Sequence, residues 1–534
     1  MLLLSGPVRG QHVYEHVQNT GIYEFLDEMA NMGMISLVGV VKPYTREMIT
    51  TKLREIHRDR SMLNVRQADL LDLYMRGFGM IKEPDYSNFS LRRGDYFFED
   101  PNFTFQIRPV MGISVLTDVS DVNNPDLVRY HRHNGAEGWA SIGRNWGLYG
   151  SLRDNFASRN LVEPGFITRE TGGAYKEGSD GSVEFSEMRG GILYGNRWMT
   201  AGLVKDHLEW GEHYYGANIF TPYAPSIAQL KLQIKPTHWL EFNFFHAWLN
   251  SDMIDSARTY TYTNAYGTRP RHVYREKYMA ANMFTFILSK HTHFSMGNAI
   301  IYGDMAPHPG YFLPIAFFKS IDHTLNATSN RAGQNAQMFF SFSTRRVKNT
   351  HLYATLFVDE IATTNMFNPD EHSNFISLKT GFRISNFPVD NLHLTGEYIR
   401  TNPLVYQHFT PSTTYESNSY NLGHYLRDNA EQTYVSLIYQ PCARFRSEMS
   451  FNYARKGPDY NSLGGRRRGL PFISEEQWRR SEFSVSAGYQ LIYNAWAIVQ
   501  YQYTNTSGAD AHLYHPEALL GEKHLLTTSL FFGL

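Results

Sequence analysis

Phe483-Ser484-Val485-Ser486-Ala487-Gly488-Tyr489-Gln490 sets apolar or small residues at odd positions and polar or small ones at even positions. That period of two marks a strand with one face against apolar surroundings and the other wet. Ile376, Leu378, Thr380, Phe382 and Ile384 oppose Ser377, Lys379, Gly381 and Arg383 in the same way. So do Leu352, Ala354, Leu356 and Val358 against His351, Tyr353 and Thr355, and Phe103, Phe105 and Ile107 against Thr104, Gln106 and Arg108. A soluble sandwich alternates likewise, so length and aromatics must decide. Trp239 and Trp248 bracket one segment and Trp496 and Tyr503 another. Strands of about 9 to 11 residues with aromatic girdles at both ends fit a closed barrel in an outer membrane, apolar side to lipid and polar side to lumen. Closure removes the unpaired edges that hydrocarbon does not tolerate.

Composition agrees. Of 534 residues, 35 are Tyr, 35 Phe and 8 Trp, whereas charged residues are only 19%. Mean hydropathy is −0.41, so the chain is polar without being ionic, and its aromatic content excludes disorder. No window reaches the roughly 18 uncharged apolar residues of a membrane helix; Met34 to Val41 stops at Lys42-Pro43. A net charge of −1 gives no whole-protein field for nucleic acid. The single cysteine, Cys442, permits no internal disulfide and no thiolate metal cluster, and is read as a packing residue at a strand end.

Ahead of the strands the period is helical. Ile22, Phe25, Leu26, Met29 and Ala30 share one face, with Asn19 or Thr20 as cap and Gly33 as stop. Thr45 caps a second helix carrying Ile49, Leu53 and Ile56. Asn64 and Gln67 form a capping box for a third, with Val65, Ala68, Leu71 and Met75 inward and Gly77 at its end. The expected division is 1–18 as leader remnant or flexible N-terminus, 19–80 as a periplasmic helical bundle, 81–100 as linker and 101–534 as barrel. Met1-Leu2-Leu3-Leu4-Ser5-Gly6 resembles the tail of a secretory signal. At roughly 24 residues per strand with its connections, the barrel segment holds about 18 strands. It finishes on an amphipathic strand, His524 to Leu534. The expected fold is a mainly β, transmembrane antiparallel barrel with a small N-terminal helical bundle. Long loops are expected at Asp118 to His133, Asn155 to Asp180, Tyr260 to Arg275, Tyr302 to Arg331, Pro403 to Asp428, Pro458 to Arg480 and Thr504 to Glu522.

Two groups of residues carry a resemblance. Tyr23-Glu24-Phe25-Leu26-Asp27-Glu28-Met29-Ala30, Lys42-Pro43-Tyr44-Thr45-Arg46 and Asn64-Val65-Arg66-Gln67 are similar to the N-terminal helical region of the capsule-assembly (Wzi-like) outer-membrane proteins. Gly423-His424-Tyr425-Leu426-Arg427-Asp428-Asn429-Ala430, before a strand ending in Tyr439-Gln440-Pro441, resembles a late glycine-and-asparagine motif of that family, with Arg427 in place of an expected glycine. The resemblance spans nearly the whole chain. It implies an 18-stranded barrel, a periplasmic helical bundle and a non-catalytic role in attaching exported polysaccharide to the cell surface.

A glycan surface needs planar donors for hydroxyls and carboxylates, and aromatic faces for sugar rings. Gly464-Gly465-Arg466-Arg467-Arg468-Gly469 followed by Trp478-Arg479-Arg480 supplies both in one predicted loop. The expected glycan contacts are therefore Arg466, Arg467, Arg468, Trp478, Arg479 and Arg480. A solvated loop, or a rim binding lipopolysaccharide phosphate, is the plainer reading of the same residues. Lys205 to Glu212 holds enough carboxylates for acid/base work, although in a barrel such residues usually line the lumen or fix a loop. His293 and Ser295 share a strand face as in outer-membrane phospholipases, but Met296 stands where an Asn is wanted and Asn298 is displaced. His131 with His133, or His291 with His293, are read as polar-face histidines rather than metal ligands. No catalytic residue, cofactor or metal is assigned. The expected partners are surface polysaccharide, outer-membrane lipid and lipopolysaccharide, and the export machinery, and the expected location is the cell outer membrane. A porin or transport channel, and a scaffold in an adhesion or gliding apparatus, are the alternatives from other classes.

Overall fold

A computed structural model of the chain describes residues 12–81, 89–90, 94–120, 128–173, 175–326, 333–361, 363–460 and 468–533. The alternating segments close into one antiparallel barrel with 18 strands among the described residues. These are β1 (Phe103–Asp118), β2 (Val128–Ile142), β3 (Trp146–Ala157), β4 (Val183–Gly195), β5 (Met199–Asp206) and β6 (Ile227–Thr237), then β7 (Leu240–Leu249), β8 (Lys277–Ser289), β9 (Thr292–Gly303), β10 (Asn335–Thr344), β11 (Thr350–Glu360) and β12 (Phe375–Ser385), and finally β13 (Leu392–Thr401), β14 (Ala430–Cys442), β15 (Phe445–Lys456), β16 (Trp478–Ile492), β17 (Ala495–Ser507) and β18 (Gly521–Phe532). Each strand pairs with the next. β18 returns to β1 from Leu525↔Asp118 to Phe532↔Met111, which closes the sheet.

Connections at one end are short, as at 143–145, 196–198 and 238–239; at the other they are long, as at 158–182, 250–276 and 402–429. Short periplasmic turns opposite long outer loops are the habit of outer-membrane barrels. Leu352, Leu378 and Val485 lie exposed on the outer wall, while His351, Lys379, Arg383 and Ser484 are buried toward the lumen. Trp146, Trp198 and Trp239 stand exposed near the short turns, and Tyr130, Trp248 and Tyr398 toward the loops, forming two girdles.

The three helices of the head sit at the short-turn end. α1 (Thr20–Asn31) buries Ile22, Phe25, Leu26, Met29 and Ala30. α2 (Arg46–Arg58) starts at Thr45, whose side chain accepts from the Met48 N–H at 3.2 Å. α3 (Val65–Gly77) has the complete Asn64/Gln67 capping box. Burying Ile49, Leu53 and Ile56 is worth about 1.5–3 kcal/mol each. α3 buries Leu71 and Met75 as expected but not its first residue: Val65 is 80% exposed. Arg66 and Gln67 turn inward instead, because the buried Glu28 carboxylate takes a bond from each. Lys290 reaches the Gly33 carbonyl at 2.7 Å, and Asn64 and Arg66 both donate to Asn391 in a short turn, which seats the head against the barrel base.

Several expectations are corrected. Residues 12–17, placed within a leader or flexible tail, are buried. Tyr14 bridges Thr45 and packs with Trp139, Tyr149, Leu193 and Val204, and Glu15 pairs with Arg46 at 2.7 Å. The lumen is not polar throughout. Phe245, Met279, Ala281, Ile301, Phe339 and Phe357 face inward and pack with Trp210 and Phe220 of the 207–226 loop and with Tyr406 and Tyr415 of the 402–429 loop. Both loops fold inward, so the inner face of β7–β11 is dry there. Loop 119–127 is shorter than expected because β2 begins at Val128, and loop 457–477 ends where β16 begins at Trp478. The 250–276 loop carries its own hairpin, Tyr260–Asn264 with Gly267–Arg271. Cys442 is exposed rather than packed, because β14 ends there beside a tight turn.

Candidate functional site

Chain from both ends meets inside the barrel. Val41 and Lys42 of the head pair in β register with Trp210 and Glu209 of the inward loop, and the Lys42 ammonium bonds Glu209 at 2.7 Å. His213 adds a second contact to Glu209 at 3.1 Å. Burial alone would raise the Glu209 carboxyl, but Lys42 and His213 hold it well below the usual carboxylate range. Glu212, three residues on, goes the other way: burial raises it and the charges of Arg345 and Lys42 offset this only in part.

A cavity of about 540 Å³ remains between the head, the inward loop and the inner face of β11–β17. Its size is that of a small-ligand site. One wall is aromatic. Tyr215 and Tyr434 stack with centroids 3.8 Å apart, the Arg169 guanidinium lies 3.5 Å over the Tyr215 ring, and Arg169 Nε donates to the Tyr223 hydroxyl at 3.2 Å. The other walls carry charge pairs: Arg345 with Asp27 at 2.7 Å, and Arg446 with Glu24 at 3.0 Å and Glu448 at 3.1 Å. Flat rings beside paired donors and acceptors can stack a sugar ring and bond its hydroxyls or a carboxylate. Asp27 is held well below the ordinary carboxylate range, since Arg345, His351 and Arg383 outweigh the raising effect of burial.

The residues expected to hold glycan do not converge. Arg466 and Arg467 lie outside the described residues. Arg468 is exposed in the 457–477 loop. Trp478 is 1% exposed and packs with Ile167, Leu426, Ala454 and Tyr514, so its ring is unavailable for stacking a sugar. Arg479 and Arg480 are strand neighbours and therefore point to opposite faces. Arg479 meets Glu476 at 3.3 Å and Ser507 on the outside, and Arg480 meets Glu482 at 2.9 Å on the lumen side.

The other chemistry-bearing stretches are tied down. Asp206 accepts from Arg189 at 2.7 and 3.1 Å and from the Tyr149 hydroxyl at 2.7 Å. Ser295 pairs with Thr285 at 2.9 Å, both His293 ring nitrogens are without a hydrogen bond, and Asn298 faces the outer wall, so no His–Ser pair is assembled.

His16, Glu187 and His207 converge from the head, β4 and the inward loop, a grouping that sequence spacing hides. His207 Nδ1 donates to the Ala224 carbonyl at 3.2 Å and its Nε2 meets Glu187 at 2.8 Å. Gln18 N–H donates to His16 Nδ1 at 3.0 Å, which leaves the proton of the neutral ring on Nε2, facing Glu187 at 3.7 Å. Burial and the charges of Arg189 and Arg153 hold His16 well below its usual value, so that ring is neutral. The hydrogen bond in this grouping joins the inward loop to the wall through His207 and Glu187, and the head's His16 lies beside it with no hydrogen bond at Nε2. Arg169, Tyr215, Tyr223 and Tyr434 were missed as well, because they come from separate loops and a strand and no local motif joins them.

No family model matches the sequence, and no curated protein matches it. Among solved structures, Wzi of Escherichia coli, described as an outer-membrane protein involved in group 1 capsule assembly and a carbohydrate-binding β-barrel, aligns over 98% of this chain and 99% of its own at 11% identity, with a TM-score of 0.59. OccAB1 of Acinetobacter baumannii aligns over 80% of this chain and 96% of its own at 9% identity (TM-score 0.42). The outer-membrane protein opdK of Pseudomonas aeruginosa aligns over 82% and 99% at 7% identity (TM-score 0.43). The chain shares the whole Wzi fold, head and barrel together.

Proposed function

We propose that this protein lies in the bacterial outer membrane and holds exported surface polysaccharide there by binding it, without catalysis. The observation that carries this reading is the content of the lumen. Its bore is filled from both ends by the head and two inward loops, and the space left presents stacked tyrosines beside arginine–carboxylate pairs. A conducting pore needs the opposite, a continuous wet bore. The run Arg466-Arg467-Arg468, read from the sequence, would supply guanidinium forks for acidic sugars or lipopolysaccharide phosphate. The fold shared with Wzi, itself described as carbohydrate-binding, supports the same role.

Deletion of the gene, followed by staining of cell-bound and released glycan, tests the proposal. The expected result is glycan shed into the medium with total export unchanged. Normal retention on the deleted strain would overturn it.

A further inference from the structure

The connection from β9 to β10 runs from 304 to 334 at the loop end, yet its first half does not project outward. Residues 309–318 fold back over the outside of the barrel. Tyr311 and Phe318 pack on Phe242, Phe244, Ile300 and Tyr302, all on the outer wall of β7–β9. His246, also on that wall, bonds the Tyr302 hydroxyl at 2.7 Å and stacks on Phe312 at 4.0 Å.

Two polar residues fix the segment. Asn282 and Asn298 pair across β8 and β9, half-way along each strand. Their neighbours Ala281 and Ala299 belong to the core inside the lumen, so the two amides face outward, where a bare barrel presents only apolar side chains. Unpaired amides there are costly. Asn282 Nδ2 instead donates to the carbonyls of Pro314 at 2.9 Å and Ala316 at 2.8 Å. Asn298 Nδ2 donates to Asn282 Oδ1 at 2.8 Å, and Asn298 Oδ1 accepts from the Phe318 N–H at 2.9 Å. Irregular backbone survives in hydrocarbon only when its polar groups are satisfied in this manner. Asn282 is four residues from Tyr278, the partner of the girdle residue Trp248, or about 13 Å along the strand at about 3.3 Å per residue.

The segment is irregular: Pro309–Phe312 forms a single 3-10 turn, the Ala316 N–H closes a second turn on the Leu313 carbonyl at 3.2 Å, and Phe318 opens a short helix. Leu313, Ile315 and Phe317 are turned away from the wall, 57%, 75% and 49% exposed. Those three side chains continue the lipid-facing band of Leu230, Met296 and Phe342.

We propose that residues 309–318 form a membrane-embedded strap, latched by the Asn282–Asn298 pair, whose Leu313, Ile315 and Phe317 contact acyl chains of the outer leaflet. The strap rests on the reading that the barrel lies in a membrane. It withdraws this segment from the outer surface that meets glycan.

The test is a single-cysteine series in the full chain with Cys442→Ser, labelled with a small fluorophore. Ile315→Cys samples the strap and Leu378→Cys a plain lipid-facing strand position. The protein is reconstituted in phosphatidylcholine vesicles with and without nitroxide-labelled acyl chains, with iodide as the aqueous quencher. The expected result is that nitroxide lipid quenches the Ile315 label as strongly as the Leu378 label, with little loss to iodide. Quenching at Leu378 together with iodide-dominated quenching at Ile315 would overturn the strap and leave the membrane barrel standing. Iodide-dominated quenching at both positions would overturn the membrane reading and the strap with it. With Asn298→Ala added, the Ile315 label is expected to lose nitroxide quenching and gain iodide quenching while the Leu378 label is unchanged. An unchanged Ile315 label would refute the latch.

Discussion

Replacing Arg345 by alanine should loosen the head from the barrel. Arg345 stands in the short turn after β10, with Nη2 2.7 Å from Asp27 and Nε 2.8 Å from Asn31, both on α1. The side chains of Arg345 and Asp27 are 3% and 13% exposed. Removing one partner of a buried pair leaves the other charged and uncompensated, at about 3–5 kcal/mol. The Tyr214 hydroxyl, which donates to Asp27 at 2.7 Å, and the nearby Arg383 keep the figure toward the lower end. At about 1.4 kcal/mol per tenfold, 3 kcal/mol is about a hundredfold increase in local opening. Amide exchange across α1 in the reconstituted protein should accelerate by that factor while the strands stay protected. Adding Asp27→Asn to Arg345→Ala should recover part of the loss. The sign with pH follows from the depressed Asp27 carboxyl. Its contribution is complete above the ordinary carboxylate value of about 3.9 and is lost as pH falls toward the lower value it has in the folded protein. Unchanged α1 exchange in Arg345→Ala would refute this account of how the head is held.

Leu356→Arg puts a charge on the lipid-facing side of β11, between Phe340 and Leu378 of the flanking strands, and should cost about 2–4 kcal/mol in urea-driven unfolding from vesicles; an unchanged midpoint would contradict that placement. Trp210→Ala empties a ring packed against Phe220, Phe245 and Phe339 and should cost about 3–5 kcal/mol, read as a lower unfolding midpoint with faster exchange in 207–226. Asp428 accepts from the Tyr406 N–H at 2.8 Å, and burial, opposed in part by Lys456, pushes its carboxyl up to about 6. A raised folded value means ionisation costs stability as pH climbs through about 4 to 6, so Asp428→Asn should gain about 1–3 kcal/mol at pH 8 and little at pH 4. Equal effects at both pH values would refute that assignment.

The barrel was legible because lipid and lumen impose period two on β11, β12 and β16, and the head because Ile49, Leu53 and Ile56 keep helical spacing. What escaped reading lies where a second layer covers a face. β7 and β8 read LEFNFFHAWL and KYMAANMFTFILS, apolar on both sides. Such runs mean that both faces are buried; here the inward loops cover one face and the strap the other. Val65 misled because helical spacing fixes a stripe but not which partner it meets, and a buried Glu28 drew Arg66 and Gln67 inward. Trp478-Arg479-Arg480 looked like a loop cluster, whereas strand pleating splits it across both faces of β16. Arg169, Tyr215 and Tyr434 come together only through tertiary folding.

Conductance of the reconstituted full chain across a planar bilayer tests the occupied lumen most directly. The head and inward loops predict a membrane that stays closed, without a steady open level, and brief openings that become frequent only in Arg345→Ala. A stable, large conductance from the unaltered protein would contradict the filled bore and the glycan-holding role built on it.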